Sequence, residues 1–197
     1  MLVKLIDYTP IQIAVRAIRK CYASEGGSDE VLIRNIIKND HTSTIEHIKY
    51  TFEIDGISRA CLQELARHRI ASLSVQSTRY TLKKMLRGKS LKDLYVSSGD
   101  PGVDQAIEAQ LFFLKTYLAV SDEPNDTIKY AIPEAFKTGL IWTINARSLR
   151  NFFKLRLSKR AHKEIRQLAK EIVDLLPEEH MILFEDIIDK HLEEYHE

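Results

Sequence analysis

The sequence predicts a helix-rich α+β domain, and three observations lead to that fold class. Apolar residues recur at helical spacing over most of the chain, while only a few segments alternate apolar and polar residues as half-buried strands do. Those strand segments lie too far apart for short hairpins. A length of 197 residues suits one domain with a sizeable core, so we expect a single domain over 1–197.

The N-terminal part predicts one strand and two helices. MLVKLIDY alternates well enough for an opening strand. Thr9 as N-cap, Pro10 as first helical residue and Gln12 in a capping box predict a helix that ends near Tyr22. A Gly-Gly pair then breaks the chain, and we expect Ser28 to cap the second helix.

The remaining elements follow from the same periodicities. HIKYTFEI, 47–54, alternates cleanly and predicts a half-buried strand. Its inward face carries Ile48, Tyr50, Phe52 and Ile54. Further along we expect a helix over 57–67, a connecting region, a helix and the SDEPND loop, and then a third strand. The connecting region covers 88–102, the helix 103–118 and the strand 136–144. Three more helices are expected after that strand, one from 146, one over 159–176 and one over 177–194.

Composition and charge exclude several classes of protein. The formal net charge of +1 counts against non-specific binding of nucleic acid, but basic residues cluster in 67–92 and 147–170, which fits a small anionic ligand. Two cysteines, Cys21 and Cys61, make no disulfide framework or metal spacing. Without a secretory pattern or an apolar run of about 20 residues, we expect a cytoplasmic protein that binds no membrane.

The common catalytic motifs are missing. The chain has neither G-x-G-x-x-G nor G-x-x-x-x-G-K-[ST], so no Rossmann fold or P-loop is expected. His41 and His47 flank Glu46 without a Cys pair, so we expect no metal site. Ser77 has no nearby His of the kind a serine hydrolase uses.

RHRIASLSVQSTRY, 67–80, is the segment most indicative of function. It places Arg67, His68, Arg69 and Arg79 among hydroxyls without any carboxylate. A protein core cannot hold that much unpaired charge, so an anionic ligand is expected, and arginine is well shaped to bind a phosphate. A plain surface patch is the alternative.

Two other segments concentrate polar residues of the kind that bind ligands. HTSTIEH, 41–47, precedes the alternating strand and is equally typical of a helix-capping turn. NARSLRNFFKLR carries Asn145, Arg147, Asn151 and Arg156 beside apolar residues, although a solvated helix face has the same pattern. Amides beside arginines suit a heterocycle with phosphates, so the residues indicate a nucleotide or dinucleotide site. An RNA-binding module that uses both basic runs is the competing hypothesis.

Together these segments resemble the flavin-dependent thymidylate synthases. RHRIASLSVQSTRY is similar to that family's R-H-R, seven residues, S-x-R hallmark. STIEH resembles its T-P-x-E-H segment, with Thr44 in place of the proline, and WTINARSLRNFFKLR resembles its N-A-R-S-L-x-N-F-x-x-L-R helix. The three blocks follow the family's order over about 41–156.

The resemblance implies a fold, a reaction and an assembly. The fold is a helix-rich α+β domain around a small, mostly antiparallel sheet. The enzyme methylates dUMP to dTMP, with methylenetetrahydrofolate as carbon donor and FAD, reduced by NADPH, as hydride source. The assembly is a homotetramer with composite active sites.

The resemblance also assigns roles to individual residues. Contacts with FAD fall on Ser43, Arg67, His68, Arg69, Asn145, Arg147 and Asn151. Contacts with dUMP fall on Glu64, Arg67, Ser77, Thr78, Arg79, Lys129 and Arg156. The catalytic residue is Arg156, whose guanidinium would stabilise negative charge on the uracil ring.

Besides Thr44, four positions depart from the family's pattern. Val75 and Ser74 replace the usual Glu and Asn, and Glu64 replaces a common Gln. Lys129 replaces an Arg, which keeps the charge without the bidentate geometry. We expect these departures to change affinities and contacts while leaving the reaction class as it is.

Overall fold

The structure of the protein is a computed structural model that describes residues 1–196. The helices are α1 (Gln12–Tyr22), α2 (Asp29–Lys38), α3 (Arg59–Ala66), α4 (Thr78–Leu86), α5 (Leu91–Leu94), α6 (Pro101–Val120), α7 (Asn125–Ile128), α8 (Ala146–Arg156), α9 (Lys163–Asp174) and α10 (Glu185–His196). The strands are β1 (Leu2–Tyr8), β2 (Lys49–Ser58), β3 (Ala71–Val75) and β4 (Lys137–Asn145). Short 3-10 helices span Thr42–His47, Lys129–Ala131 and Glu178–Leu183.

The strands form an antiparallel sheet in the order β1-β2-β4-β3. β2 and β4 are its central strands, and both were predicted from the sequence. The segments between consecutive strands contain helices, which agrees with the expected lack of short hairpins. The predicted α+β class is therefore confirmed.

The chain divides into two compact units, each assembled from separate stretches of sequence. Unit 1 contains Met1–Leu2, Ile54–Ala66 and Ser74–Leu140. Unit 2 contains Val3–Glu53, Arg67–Leu73 and the described residues from Ile141 onward. The single domain over 1–197 stays a prediction.

Unit 2 has an aromatic core built on β2, β4 and α8. Phe52 lies 6.0 Å from Trp142, measured between ring centroids, and Trp142 lies 5.1 Å from Phe152. Phe153 meets Phe184 edge-on at 5.4 Å. All five rings are fully buried, and each buried aromatic side chain contributes about 1.5–3 kcal/mol to folding. The alternation predicted for 47–54 is confirmed by this burial.

Unit 1 has an aliphatic core between α4 and α6. Leu82 and Leu86 of α4 pack in one buried cluster with Leu111 and Leu114 of α6. The helix predicted over 103–118 is confirmed, and Asp100 caps it by accepting hydrogen bonds from two backbone N–H groups. Within residues 1–196, no helix is long and apolar enough to cross a membrane.

The predicted start of the first helix is wrong. α1 begins at Gln12 with Ile11 in the N-cap position, two residues later than the capping box required. Thr9 instead extends the sheet, since its hydroxyl oxygen accepts from the backbone N–H of Lys49 at 3.2 Å and its own N–H donates to the Lys49 carbonyl at 2.9 Å. Pairing with the sheet therefore overrides the local capping signal. The end near Tyr22 and the position of Ser28 as N-cap are confirmed.

Three other segments differ from the prediction. The expected connection over 88–102 contains α5, with a capping box formed by Ser90 and Asp93. The expected single helix over 177–194 is interrupted at Phe184, whose φ of −134° lies outside the helical region. The RHRIASLSVQSTRY segment holds β3 and the start of α4, neither of which had been predicted.

Candidate active site

The first turns of α8 carry the polar residues of the NARSLRNFFKLR segment. Asn145 ends β4 and caps the helix, because its side-chain oxygen accepts from the backbone N–H of Ser148 at 2.8 Å. A spacing of four puts Arg147 and Asn151 on one face, and Lys154 continues that face. The buried face of the helix consists of Ala146, Leu149, Phe152 and Phe153.

That polar face lines a cavity of about 1330 Å³ in unit 2, which we call the large groove. Its other walls come from the 3-10 helix Thr42–His47, the residues that follow α3, and α10. The positive side chains in its lining are Arg67, Arg69, Arg147, Arg150, Lys154, Lys159, Arg160 and Lys190, against the carboxylates Asp40, Glu46 and Asp186. Eight cations against three anions make this groove strongly electropositive.

The triplet Arg67, His68 and Arg69 lies immediately after α3, and its central residue anchors it. Arg67 and Arg69 are exposed and line the large groove, whereas His68 is only 7% exposed. The His68 ring meets Phe152 edge-on with a centroid distance of 5.0 Å. The triplet is therefore fixed to the aromatic core, and its two guanidiniums are presented to the groove.

His68 also holds the predicted catalytic arginine. The Nε–H of Arg156 donates to Nε2 of His68 at 3.1 Å, which requires a lone pair on that nitrogen. Arg156 lines a second cavity of about 340 Å³, the small groove. Arg67, His68 and Asn151 line both cavities, so the catalytic candidate adjoins the residues predicted to contact the flavin.

An ion pair connects α8 to the STIEH segment. Nη1 of Arg147 lies 2.6 Å from Oε1 of Glu46, and both side chains are about half exposed. Such a pair contributes at most about 1 kcal/mol to folding, but it sets the direction of Arg147 within the groove. Ser43, the predicted FAD contact in this segment, is exposed, and the groove is lined there by Thr42 and Glu46.

Two of the predicted dUMP residues in unit 1, Arg79 and Lys129, contact one carboxylate. Nε of Arg79 lies 3.0 Å from Oδ2 of Asp126, and Nζ of Lys129 lies 3.0 Å from Oδ1 of the same group. We call Arg79, Asp126 and Lys129 the Asp126 cluster. Ser77 is the N-cap residue of α4 and Thr78 is its first residue, so both lie beside Arg79 in the chain.

The structure thus assembles the predicted residues into two groups, each within one unit. The unit 2 group is Arg67, His68, Arg69, Asn145, Arg147, Asn151 and Arg156. The unit 1 group is Ser77, Thr78, Arg79 and Lys129. Ser43 lies outside the linings of both grooves, and Glu64 is half-buried on α3.

Sequence reasoning missed several residues of these two groups. Lys154 follows Arg147 by seven positions, so helical periodicity alone predicts that it shares the same face. Asp186 and Lys190 carry a similar signal, being four apart on α10. Asp126 carries a local signal only toward Lys129, three positions away, because its link to Arg79 joins residues 47 positions apart.

Arginines, amides and hydroxyls that line electropositive grooves of an α+β fold are typical of one class of protein, the proteins that bind phosphorylated heterocycles. The sequence model of the family described as "Thymidylate synthase complementing protein" matches residues 4–180. This chain belongs to that family, the flavin-dependent thymidylate synthases, so the resemblance seen in the three sequence blocks is confirmed.

Curated relatives carry the same family name over nearly their whole length. The chain is 47% identical to the flavin-dependent thymidylate synthase of Wolinella succinogenes, covering 93% of this chain and 97% of the relative. It is 45% identical to that of Helicobacter pylori strain J99, covering 92% of this chain and 96% of the relative. A crystal structure of thymidylate synthase X from Helicobacter pylori with FAD and dUMP superposes with a TM-score of 0.88 at 43% identity, covering 95% of this chain and 98% of that one.

Proposed function

We propose that this chain catalyses the reductive methylation of dUMP to dTMP with FAD as its flavin. The observation that carries the proposal is the arrangement around His68. This one buried ring ties the Arg67–Arg69 triplet to the core and also holds Arg156 beside the large groove. Relatives named as flavin-dependent thymidylate synthases at 44–47% identity support the same reaction.

The residues of the large groove fit FAD. Its volume of about 1330 Å³ exceeds the roughly 300–1,000 Å³ of a pocket for a drug-sized ligand, as a dinucleotide requires. Arg67, Arg69 and Arg147 supply cations for the diphosphate, and Asn145 and Asn151 supply amides for ring edges. When bound and reduced, FAD supplies the hydride that converts the transferred carbon into a methyl group.

Arg156 is the residue that acts on the substrate ring. A guanidinium held against the uracil stabilises negative charge on N3 and the neighbouring oxygen, which raises the nucleophilicity of C5. The hydrogen bond to His68 directs Arg156 through its Nε, so the plane of the guanidinium is fixed by a buried partner. C5 then forms the new bond to the methylene carbon while that carbon's bond to the folate nitrogen breaks, and C5 later releases its own proton.

The Asp126 cluster suits the phosphate of dUMP. Arg79 and Lys129 provide two cations. Ser77 and Thr78 provide hydroxyls at the start of α4, the helix that carries Arg79. Glu64 joins Arg67 as a further proposed contact of the substrate.

The remaining partners belong to the same proposal. Methylenetetrahydrofolate is the carbon donor and NADPH the reductant of the flavin. We place the enzyme in the cytoplasm as a homotetramer, with exposed aromatic side chains of α6, Phe112 and Phe113, as apolar surface for assembly. Cys21 and Cys61 are thiols that form no disulfide, which suits a reducing compartment.

A tritium-release assay tests the function directly. The purified protein is loaded with FAD, its absorbance spectrum is recorded, and [5-³H]dUMP is added with methylenetetrahydrofolate and NADPH. We expect a flavin spectrum and release of tritium that depends on the folate and on NADPH. A protein that remains colourless after addition of FAD and releases no tritium would contradict the proposal.

A further inference from the structure

Asp126 has a place in the Asp126 cluster that its sequence context does not indicate. It divides its two oxygens between two cations, with Oδ2 3.0 Å from Nε of Arg79 and Oδ1 3.0 Å from Nζ of Lys129. Both cations are proposed ligands of the dUMP phosphate, and they come from different helical segments of unit 1. One carboxylate therefore fixes the directions of two phosphate-binding side chains together.

The residue before Asp126 fixes the backbone of the same site. Nδ2 of Asn125 donates to the carbonyl of Arg79 at 2.8 Å, and its Oδ1 accepts from the backbone N–H of Lys83 at 3.3 Å. Neighbouring residues of α7 thus hold both the main chain and the side chain of Arg79. An ion pair formed by chance on the surface would lack this second connection.

We propose that Asp126 is a positioning residue that sets the geometry of the dUMP phosphate site, an inference that rests on the proposed function. A guanidinium has five N–H donors in a fixed plane, and Nε is the nitrogen of Arg79 that forms the ion pair with Asp126. With Asp126 on the Nε side, the outer N–H donors of the two terminal nitrogens stay available as a fork that matches two phosphate oxygens. Nζ of Lys129 donates one hydrogen bond to Oδ1 of Asp126, and its position is fixed by the same contact.

Because the cluster is exposed, the positioning role of Asp126 can be tested without a large change in the free energy of unfolding. The side chains of Arg79, Lys129 and Asp126 are 63%, 36% and 43% exposed. Ion pairs at that exposure contribute little to folding, so removing Asp126 leaves the fold intact. The same exposure leaves the cluster open to a ligand arriving from solvent.

A simple placeholder role makes the opposite prediction. If Asp126 only neutralised the cations until dUMP replaced it, removing its negative charge would tighten dUMP binding. If Asp126 positions the cations, removal weakens binding, because two flexible side chains must then be ordered by the ligand itself. The direction of change in affinity therefore decides between the two roles.

The experiment compares Asp126→Ala and Asp126→Asn with Asp122→Asn, which removes one negative charge from the preceding loop. With FAD-loaded enzyme, the Kd and KM for dUMP, kcat and flavin retention are measured, and 2′-deoxyuridine is tested as a ligand without phosphate. For Asp126→Ala we expect the Kd and KM for dUMP to rise about tenfold, the size of one charge-assisted hydrogen bond. We expect kcat within about twofold, an unchanged affinity for deoxyuridine, and a smaller rise for Asp126→Asn, whose amide oxygen still accepts.

Three results would overturn the proposal. Tighter binding of dUMP by Asp126→Asn would establish the placeholder role, and equal losses for dUMP and deoxyuridine would indicate a general structural defect. A change no larger than that of Asp122→Asn would show that only overall charge matters. Wild-type enzyme that binds no dUMP would overturn the proposed function as well, whereas normal wild-type activity with an unaffected Asp126→Ala variant would overturn the role of Asp126 alone.

Discussion

The two groups of site residues are supported in different ways. In unit 2, the Arg67–Arg69 triplet is anchored by His68, a buried ring that packs on Phe152. In unit 1, Arg79 and Lys129 rest on Asp126, and all three side chains are at least one third exposed. One group is fixed by packing and the other by surface ion pairs.

This difference divides the proposed tasks of the enzyme. A flavin that stays bound through many turnovers benefits from a groove whose shape is set by the core, since well-packed side chains rarely change rotamer. A substrate enters and leaves in each cycle. Exposed side chains held by weak surface ion pairs suit it, because moving them costs little free energy. Substitutions in the two groups should therefore change different kinetic constants.

The largest expected effect is that of Arg156→Ala. Loss of the guanidinium removes the stabilisation of charge on the uracil, so we expect kcat to fall about 10²–10³-fold, as when an oxyanion-hole donor is removed. Flavin retention should stay close to wild type. Single-turnover rates and FAD titrations measure the two quantities. Arg156→Lys keeps the charge without the planar donors, so its kcat should lie between those of the wild type and Arg156→Ala. Unchanged turnover in Arg156→Ala would remove this residue from the mechanism.

A smaller but more diagnostic effect is expected from paired arginine variants. Arg69→Ala should raise the Kd for FAD about 10–100-fold, because it removes a charge-assisted contact in the large groove. Arg79→Ala should raise the KM for dUMP and leave the Kd for FAD unchanged. Titration of the apoprotein with FAD and initial rates at varied dUMP check both. Equal effects of the two variants on both ligands would contradict the division of tasks.

His180, a fully buried histidine of unit 2, predicts a dependence of stability on pH. Burial lowers the pKa of His180, whose Nδ1 lies 2.7 Å from the hydroxyl of Tyr50. The folded state therefore binds this proton less readily than the unfolded state, where the pKa is about 6.5. The stabilising contribution is complete above pH 6.5 and is lost as the pH falls below it, by at most about 1.4 kcal/mol per pH unit.

Urea unfolding of wild type and His180→Gln between pH 7.5 and 5 measures that contribution. We expect the free energy of unfolding to decrease more steeply with falling pH in the wild type. Tyr95→Phe in unit 1 is the control, because a hydrogen bond to Glu108 raises the pKa of Tyr95 to about 12, far above this window. Parallel curves for wild type and His180→Gln would contradict the prediction.

The smallest expected effect is that of Glu46→Gln. Its ion pair with Arg147 is about half exposed, so the free energy of unfolding should fall by less than about 1 kcal/mol. Denaturant midpoints measure this change. Glu53→Gln, which removes another exposed pair with Lys4, provides a matched comparison. A decrease of several kcal/mol in the free energy of unfolding of Glu46→Gln would contradict this prediction, because the pair would then stabilise the fold as much as buried core residues do.

Local patterns predicted the elements whose packing follows from periodicity. Strand β2 was predicted because burial on one face imposes alternation, and Ile48, Tyr50 and Phe52 are all fully buried. Helix α8 was predicted for the same reason with a period of 3.6. Thr9 shows the limit of this reasoning, because its local sequence favours a helix cap while its hydroxyl is engaged by Lys49, forty positions away.

The candidate site was predictable in its residue types and unpredictable in its pairings. Basic residues without acidic neighbours indicated an anionic ligand at Arg67, Arg69 and Arg79. The acids that orient them lie elsewhere in the chain, and their contacts depend on the folded backbone. Asp126 approaches Arg79 only after α7 packs beside α4, so no pattern within a short window indicates it.

The wall that α10 contributes to the large groove matters for handling the protein. Asp186 receives two parallel hydrogen bonds of 2.7 Å from Arg150, and Lys190 lines the same cavity. A protease that cuts just before Glu185 would release this wall while leaving β2, β4 and α8 in place. Preparations clipped at that position would therefore be colourless yet folded, and added cofactor would protect the peptide bond from cleavage.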